Sequence, residues 1–597
     1  MSSEQPHVKV PSFSTYSNRI IIKTILARPD HGVGLIGQPV IVGGWVKSSR
    51  EFRKEPPAAA PENRGGPKDV SCVEVLQTKL PFLRAIIKAF GGEQRIRDKL
   101  DAIVPRLPPQ PSISILSISD GSCPASLQVL VDSSLASPNR VMPTGTCILV
   151  EGLMQKPSLQ GKESVEVRAD KILHIGVVDP GRYPLSKKRL PLESLRDSCQ
   201  FRPRTTTVAS VTRVRSALTQ GTHAFFRENE FLHVQMPVIT TSDTEGSGKI
   251  FQVLTPRRTE QCPNIETIKA SIKDKNKQIE ELKRSASNDE ALVAAVDDLK
   301  KTTELLSKME NEEKTRHGKS RGETSRASSS DEFFSKKTYL TPSGRLHLES
   351  YASALGNVYT FGPRFRAKRS ETKKESAEMS IVEIEMAFST MEDSMRCAED
   401  FLKFISKWVL ENCTEDLKFI AKRIDKLVVE RLQLILTSTF ERIAYSEAIE
   451  VLKKVAGEKF KFESGISLNE EHESYLADEV YKKPIVLYNH PKALAPFYAR
   501  SNDDGETAAT FDVILPKVGA VVRGSQNEER YDILNARMKE FGMAEREYEW
   551  YLDLRRHGAV KCSGLGFLFD AMVLYATGLN DVRDAVPFPR SFGKIND

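Results

Sequence analysis

The sequence predicts an α+β protein: a small β-barrel followed by a larger domain in which antiparallel strands are flanked by helices. Three observations carry this. First, short alternating runs at Val40–Val46, Ile113–Ile118, Ala125–Val131, Cys147–Gly152 and Val165–Val167 read as about five strands before residue 180, with Asp120–Gly121 supplying a hairpin turn. Five short strands ahead of a larger domain are the pattern of an OB barrel, which other β-barrel adaptors share. Second, runs of period two at Val358–Arg366 and Ile381–Phe388 flank a charged loop, Ala367 to Glu378, and make an antiparallel pair whose first strand ends on Arg366. A guanidinium fixed there suits an anion, because its planar fork binds two oxygens at once. Third, apolar residues recur at helical spacing at Val208, Val211, Val214, Leu218 and Phe225, and again at Met395, Ala398, Phe401, Phe404, Ile405 and Val409.

Taken in order, residues 1–20 read as a tail and 21–180 as the barrel, interrupted by an insertion at 51–110. Within that insertion PPAAAPENRGGP is a linker, and Val73 to Ile103 is mostly helical. Residues 181–205 form a basic hinge, and 206–597 form the second domain. There, a helix from Thr207 leads to a strand at Phe231–Val234 and then Pro237. Residues 255–335 are a second insertion, a charged helical hairpin and linker. Its first helix carries Ile265, Ile268, Ile272, Ile279 and Leu282. Its second starts at a Ser287–Glu290 capping box and is lined by Leu292, Val293, Val296 and Leu299. KTRHGKSRGETSRASSSDE then reads as linker. The helix that opens the central segment is expected to bury Tyr351, Ala354 and Leu355. Residues 393–480 read as helical, followed by strands at Pro484–Tyr488, Ala508–Leu515 and Ala520–Val522. A polar helix at 526–546, a strand at WYLDLRRHGAV and a closing helix from Asp570 to Gly578 complete the chain.

At 597 residues the chain accommodates two to four domains. Its 39% hydrophobic and 28% charged residues are those of a globular protein, and a net charge of +7 permits a nucleic-acid partner. Eight scattered cysteines without a CxxC pair argue against a zinc site or a disulfide scaffold. No apolar run is long enough to span a membrane, and the N-terminal stretch carries no secretory pattern, so a cytoplasmic location is expected.

The segment VYTFGPRFRA resembles motif 2 of the class II aminoacyl-tRNA synthetases, the asparaginyl members in particular. SDTEGSGKIF, YLTPSGRLHLESYASALGNVYTFGPRFRA, HPKALAPFY, GSQNEERYDILNARM, WYLDLRRHG, ATGLNDVRD and VPFPR continue the likeness in one order, as does DGSCPASLQVLVD in the barrel. On these words the chain is identified as a member of the asparaginyl-tRNA synthetase family, eukaryotic cytoplasmic type. The resemblance implies an OB-type anticodon-binding barrel and a class II antiparallel sheet flanked by helices. The Thr207–Pro237 segment would be motif 1 at the interface of a homodimer. It further implies asparagine, ATP and tRNA as substrates, with Mg²⁺. Residue by residue, it makes Arg366 the catalytic, α-phosphate-binding arginine and Asp512 a ligand of ATP and metal. Glu245, Arg500 and Arg555 would bind the amino acid, and Arg50 the anticodon.

The chain departs from the family pattern at charged positions. Lys368 replaces a glutamate, and Lys374–Glu375 replaces an arginine–histidine pair. Ala520 stands at a metal-binding glutamate, Arg523 at a glycine, Leu568 at a glycine and Ala571 at an arginine of motif 3. Lys249 replaces a glutamate and Arg345 a glutamine on the amino-acid side. In the barrel, Ile115 stands where a phenylalanine stacks on a base, and Ser117 where a glutamate lies. Losing one preorganised charge contact costs about two to three decades in rate. Two functions therefore follow from the sequence: an asparagine–tRNA ligase, or an impaired paralogue that serves as an RNA-binding or regulatory protein.

Overall fold

The computed structural model describes residues 14–53, 111–158, 164–185, 190–241, 249–254, 265–284, 289–317, 333–334, 336–369, 373–456 and 468–595. The N-terminal strands β1 (Pro39–Arg53), β2 (Ser112–Ser119), β3 (Leu127–Asp132), β4 (Cys147–Gln155) and β5 (Glu166–Gly176) close into a barrel in the order β1-β2-β3-β5-β4. Val42, Val46, Leu116, Ile118, Val129, Ile148 and Val150 alternate inward and fill it. β1 runs on through Arg53, so residues 51–53, expected in the insertion, belong to the strand. The helical segment expected at Val73–Ile103 lies outside the described residues.

The hinge is built in. Arg202 is buried and donates from Nη1 to the Arg583 carbonyl at 2.9 Å and from Nη2 to the Pro587 carbonyl at 2.7 Å, with Val586 O as a further acceptor. Arg204 lies over the Trp45 ring of β1 at 5.5 Å, and the Lys47 ammonium donates to the Arg204 carbonyl. The linker is thus tied to the barrel on one side and to the C-terminal segment on the other.

The second domain opens with α1 (Thr206–Glu228), capped by the Thr205 hydroxyl, which accepts from Val208 N. β6 (Leu232–His233), β7 (Ile239–Thr240) and β8 (Phe251–Val253) follow, then the hairpin α2 (Ile265–Arg284) and α3 (Asp289–His317), and β9 (Thr338–Leu340). Next come α4 (Arg345–Leu355), β10 (Asn357–Phe365) and β11 (Glu378–Ala387). The helices α5 (Met391–Asn412), α6 (Thr414–Arg423) and α7 (Val428–Thr437) lead to β12 (Glu441–Ala444), α8 (Tyr445–Ala456), α9 (Glu470–Tyr475) and β13 (Ile485–Tyr488). β14 (Thr510–Leu515), β15 (Gly519–Gln526), α10 (Tyr531–Glu540), α11 (Glu545–Arg556), β16 (Cys562–Leu568) and α12 (Phe569–Thr577) finish the domain. Eight strands form one sheet in the order β12-β13-β14-β15-β16-β11-β10-β6, antiparallel except for the β12–β13 and β10–β6 pairs. One face of it is apolar: Val382, Ile384, Phe511, Val513, Val522, Leu565 and Phe567 pack with Val214, Phe226, Phe401, Ile405 and Val573 from α1, α5 and α12.

Several expectations are corrected. WYLDLRRHG is the end of helix α11, not a strand: Tyr548, Tyr551, Leu552 and Arg555 are buried at spacings of three and four, a helical face that its charged residues obscure. The strand comes later, as β16, where SGLGF is too glycine-rich to read as β. β12 lies within the stretch expected to be helical, and the polar helix of 526–546 is the shorter α10, because Gln526 ends β15. Tyr351, Ala354 and Leu355 are exposed; α4 instead buries Arg345, Leu346, Leu348, Glu349 and Ala352, since the sheet face beneath it is polar. In the hairpin Ile268 and Ile279 are buried, with Lys275–Asp298 and Lys269–Glu310 ion pairs of 2.8 Å across it. Val293 is exposed, α3 continues to His317 through residues read as linker, and the Ser287 cap lies outside the described residues.

Arg202→Ala strips three carbonyls of their donor and is expected to destabilise the folded chain by about 2–4 kcal/mol, because hydrogen bonds to a charged group are worth about 1.5–3 kcal/mol and Arg202 itself is buried. Thermal melts of wild type and variant check it; coincident curves contradict it.

Candidate active site

Strand pairing lays polar residues in rows across the sheet. Asp512 on β14 faces Arg523 on β15, Arg523 faces Gly566 on β16, Gly566 faces Glu383 on β11, and Glu383 faces Thr360 on β10. Two residues along, Thr510, Ser525, Gly564 and Glu385 form the next row. Alternation turns both rows away from the apolar core. Gly566 leaves the middle of the face open, since a Cβ there would meet nothing closer than 3.9 Å; Gly564 makes room for the Glu385 carboxylate, whose oxygen would lie 2.6 Å from a Cβ.

Two buried ion pairs on this face organise its surroundings. Glu383 accepts from Arg364 Nε and Nη2 at 2.9 and 2.5 Å, from Ser343 Oγ at 2.6 Å and from Gly344 N at 2.9 Å. Arg345 donates from Nε to Glu385 at 2.7 Å and reaches Ser525 Oγ and Asn527 Oδ1 at 3.3 Å, with its guanidinium over the Tyr498 ring at 5.4 Å. Burial lowers the Arg345 pKa, but the charge and hydrogen bond of Glu385 outweigh it and hold the cation above its usual range. Beside this pair, Arg555 donates to Glu349 at 2.6 Å and to the Glu528 carbonyl at 2.9 Å, and the Tyr551 hydroxyl donates to Glu349 at 2.5 Å. Arg500 pairs with Glu529 at 3.4 Å. The Arg555 Nη1 donor and the Glu529 Oε2 acceptor are buried without a hydrogen-bond partner among the described residues. A buried donor and a buried acceptor left open suit a small ligand that carries both kinds of group.

At the other end of the face, Arg366 follows β10, its amide donating to the Ala377 carbonyl at 2.9 Å. Lys368 pairs with Glu375 at 2.8 Å. Burial raises the Glu375 carboxyl, but the Lys368 hydrogen bond and the charges of Lys368, Arg366 and Arg523 leave its pKa lowered. Those cations therefore share one patch. Glu473 of α9 accepts from Ala520 N at 3.3 Å, with Lys374 and Asp512 near. Burial lifts its pKa to about 7, the charge of Asp512 adds to the rise, and Arg523, the Ala520 amide and Lys374 oppose it. His490 lies 3.8 Å from Asp512. Ala571, in the first turn of α12, packs against the apolar core. The preceding Asp570 is bound to Arg215 at 2.6 Å and accepts from Ser380 N at 2.9 Å.

The face therefore gathers Arg366 and Asp512 at one end and Arg500 and Arg555 at the other. Arg50 stands apart, on β1 of the barrel. Glu245 lies outside the described residues. Sequence reasoning missed Arg364, Glu349, Glu383, Glu385 and Glu473. The signal for two of them was present, since acidic residues alternating with apolar ones in a central strand must be buried and paired.

Residues 306–592 match the family model described as tRNA synthetases class II (D, K and N). The chain is 46% identical to asparagine–tRNA ligase, cytoplasmic 2, of Arabidopsis thaliana, over 98% of this chain and 97% of that one. It is 40% identical to the asparagine–tRNA ligase of Synechocystis sp., over 80% of this chain and 91% of the relative. Among solved structures, asparaginyl-tRNA synthetase of Pyrococcus horikoshii complexed with asparaginyl-adenylate superposes with a TM-score of 0.67 at 20% identity, over 97% of this chain and 99% of that one.

Because the folded pKa of Glu473 lies above that of an unfolded glutamate, the stability this group contributes is complete below about pH 4.5 and is lost as pH rises through about 7. Glu473→Gln keeps an acceptor for Ala520 N and removes the buried charge. At pH 8 the variant is expected to be the more stable protein, by at most about 3 kcal/mol, with the advantage gone at pH 5. Chemical denaturation at both values tests this; equal stabilities at pH 8 contradict it.

Proposed function

Because this chain belongs to the asparagine–tRNA ligase family of class II tRNA synthetases, we propose that it joins asparagine to tRNA at the expense of ATP. The observation that supports this most directly is the 46% identity carried across 98% of the chain, which spans barrel, sheet and helices alike. In the first step a carboxylate oxygen of asparagine attacks the α-phosphorus of ATP, the bond to pyrophosphate breaks, and asparaginyl-adenylate forms. In the second, a terminal ribose hydroxyl of tRNA attacks the adenylate carbonyl and AMP leaves.

Neither step needs a reactive side chain from the protein; positioning and charge neutralisation supply the rate. Arg366 grips the α-phosphate, with Arg523 and Lys368 neutralising the phosphates beyond it. Arg555, Arg500 and Glu245 hold the amino acid, and the open Arg555 Nη1 donor and Glu529 acceptor favour that assignment. The residues do not fit a protein-held Mg²⁺: among the described residues no cluster of three metal-ligating side chains exists, and Asp512 is opposed across the strand pair by Arg523. A metal would arrive on the nucleotide; where the resemblance puts a metal carboxylate the chain has Ala520, with the cation Arg523 three residues on. Arg50 contacts the anticodon. The location is the cytoplasm, like that of the Arabidopsis relative by its name; among the described residues no helix is long and apolar enough to cross a membrane.

The working unit is a homodimer. β6 is the sheet's outer strand, and near that edge Leu232, Tyr351, Leu355 and Phe388 are each about half exposed or more, Phe388 to 89%. Apolar groups gathered at an unpaired edge favour a second copy there. Light scattering should give twice 66.8 kDa at micromolar concentration, and a single-chain mass would reject the dimer.

Asparagine-dependent exchange of pyrophosphate into ATP tests the ligase reading; no exchange with any amino acid rejects it and leaves the RNA-binding or regulatory paralogue. Restoring the family pattern with Ala520→Glu, Ala571→Arg and Arg523→Gly together is expected to raise exchange by about two or more decades. Ala520→Glu alone should do little, because Arg523 remains to pair with the new carboxylate. An unchanged rate in the triple variant would mean that these three positions do not limit exchange.

A further inference from the structure

The outer face of the barrel holds an aromatic side chain with no partner role in the reading above. Strand β1 pairs with β2 so that Ser48 faces Ser117, Arg50 faces Ile115 and Phe52 faces Ile113. Directly opposed residues project to the same side of a sheet. That side is the outer one, because the intervening Ser114 and Leu116 are fully buried in the barrel. Phe52 is 54% exposed, and Arg50, two positions back on the same side, is exposed as well. The face continues through Leu130 of β3, opposite Ile115, to Arg168 of β5 beside it, which is exposed. The result is a ring standing at the margin of an apolar strip, Ile113 and Ile115, with arginines on both sides of the strip.

Every nucleobase has a π-face, and a ring beside fixed cations recognises single-stranded nucleic acid through stacking plus phosphate contacts. We propose that Phe52 is the residue on which this barrel stacks an unpaired base of the tRNA loop, with Arg50 and Arg168 taking the adjoining phosphates. The proposal rests on reading the chain as a tRNA ligase. It also meets a deficit within the barrel: Ile115, at the position where the resemblance puts an aromatic, has no π-face. Phe52 is its diagonal neighbour, at the roughly 7–8 Å spacing that long and aromatic side chains bridge.

The test is the affinity of the full-length protein for a tRNA(Asn) transcript, measured by filter binding at fixed salt, for wild type and for Phe52→Ala, Phe52→Leu and Phe52→Trp. Stacking predicts that Ala and Leu each raise Kd about tenfold and that Trp restores binding. Ile115→Ala should leave Kd unchanged. Wild-type affinity in Phe52→Leu would show that any apolar group serves, and wild-type affinity in Phe52→Ala that the ring takes no part; either overturns the proposal. Pyrophosphate exchange, which involves no tRNA, is read in parallel. Exchange by a wild type that binds no tRNA overturns the stacking proposal and leaves adenylation standing. A Phe52 effect in a protein without exchange supports the proposal and rejects the ligase reading.

Discussion

The Arg364–Glu383 ion pair is the constraint from which the rest of the site follows. Both side chains are at most 2% exposed, and burying two charges costs several kcal/mol unless every remaining donor and acceptor is also met. Glu383 meets the requirement by drawing in Ser343 Oγ and Gly344 N as well as the guanidinium. That fixes the turn from which α4 starts. A side chain at 344 cannot be accommodated, since a Cβ there would lie 2.7 Å from Arg364 Nη2. With the turn fixed, the next residue is Arg345, delivered onto Glu385, and one helical turn on Glu349 is delivered to Arg555 and Tyr551. One buried carboxylate thus sets the position of α4, and α4 sets that of α11.

The same chain of contacts explains why Arg345 is tolerated where the resemblance puts an uncharged glutamine. A lone guanidinium buried there would be prohibitive, but Glu385 already stands two residues beyond Glu383 on the same face, and Ser525 and Asn527 complete the fork. The arginine neutralises a buried acid, while Arg555, paired with Glu349, keeps an unpartnered Nη1 on that side of the face among the described residues.

Much of this was legible in the sequence, and the misses share causes. The barrel strands, the β10–β11 pair and α5 announced themselves because each is amphipathic with an apolar partner surface. The helix α11 and the strand β16 did not, because their environments invert the rule: α11 presents buried Tyr551 and Arg555 to a polar layer, and β16 keeps two glycines where its neighbours carry carboxylates. The exposure of Tyr351 and Leu355 has the same origin, since α4 turns Arg345 and Glu349 inward beside Leu346, Leu348 and Ala352 and leaves Tyr351 and Leu355 outside. At the site, the resemblance pointed to single residues such as Arg366, Asp512 and Arg555. The carboxylate that holds Arg555, Glu349, was not legible, because pairing between distant helices is fixed only by the fold.

At the end of the face proposed to take the nucleotide, charge is redistributed rather than simply lost. Where the resemblance puts a metal-binding carboxylate the chain has Ala520, and Arg523 and Lys368 bring positive charge within reach of Glu375. A divalent ion beside a triphosphate supplies two separable things, positive potential and an octahedral bridge between oxygens. Arginine and lysine supply the first and none of the second. Transition states of phosphoryl transfer depend on both neutralisation and alignment. On the proposed reading, alignment of the α-phosphate is left to Arg366, the cation whose backbone is pinned to the sheet by the Ala377 carbonyl.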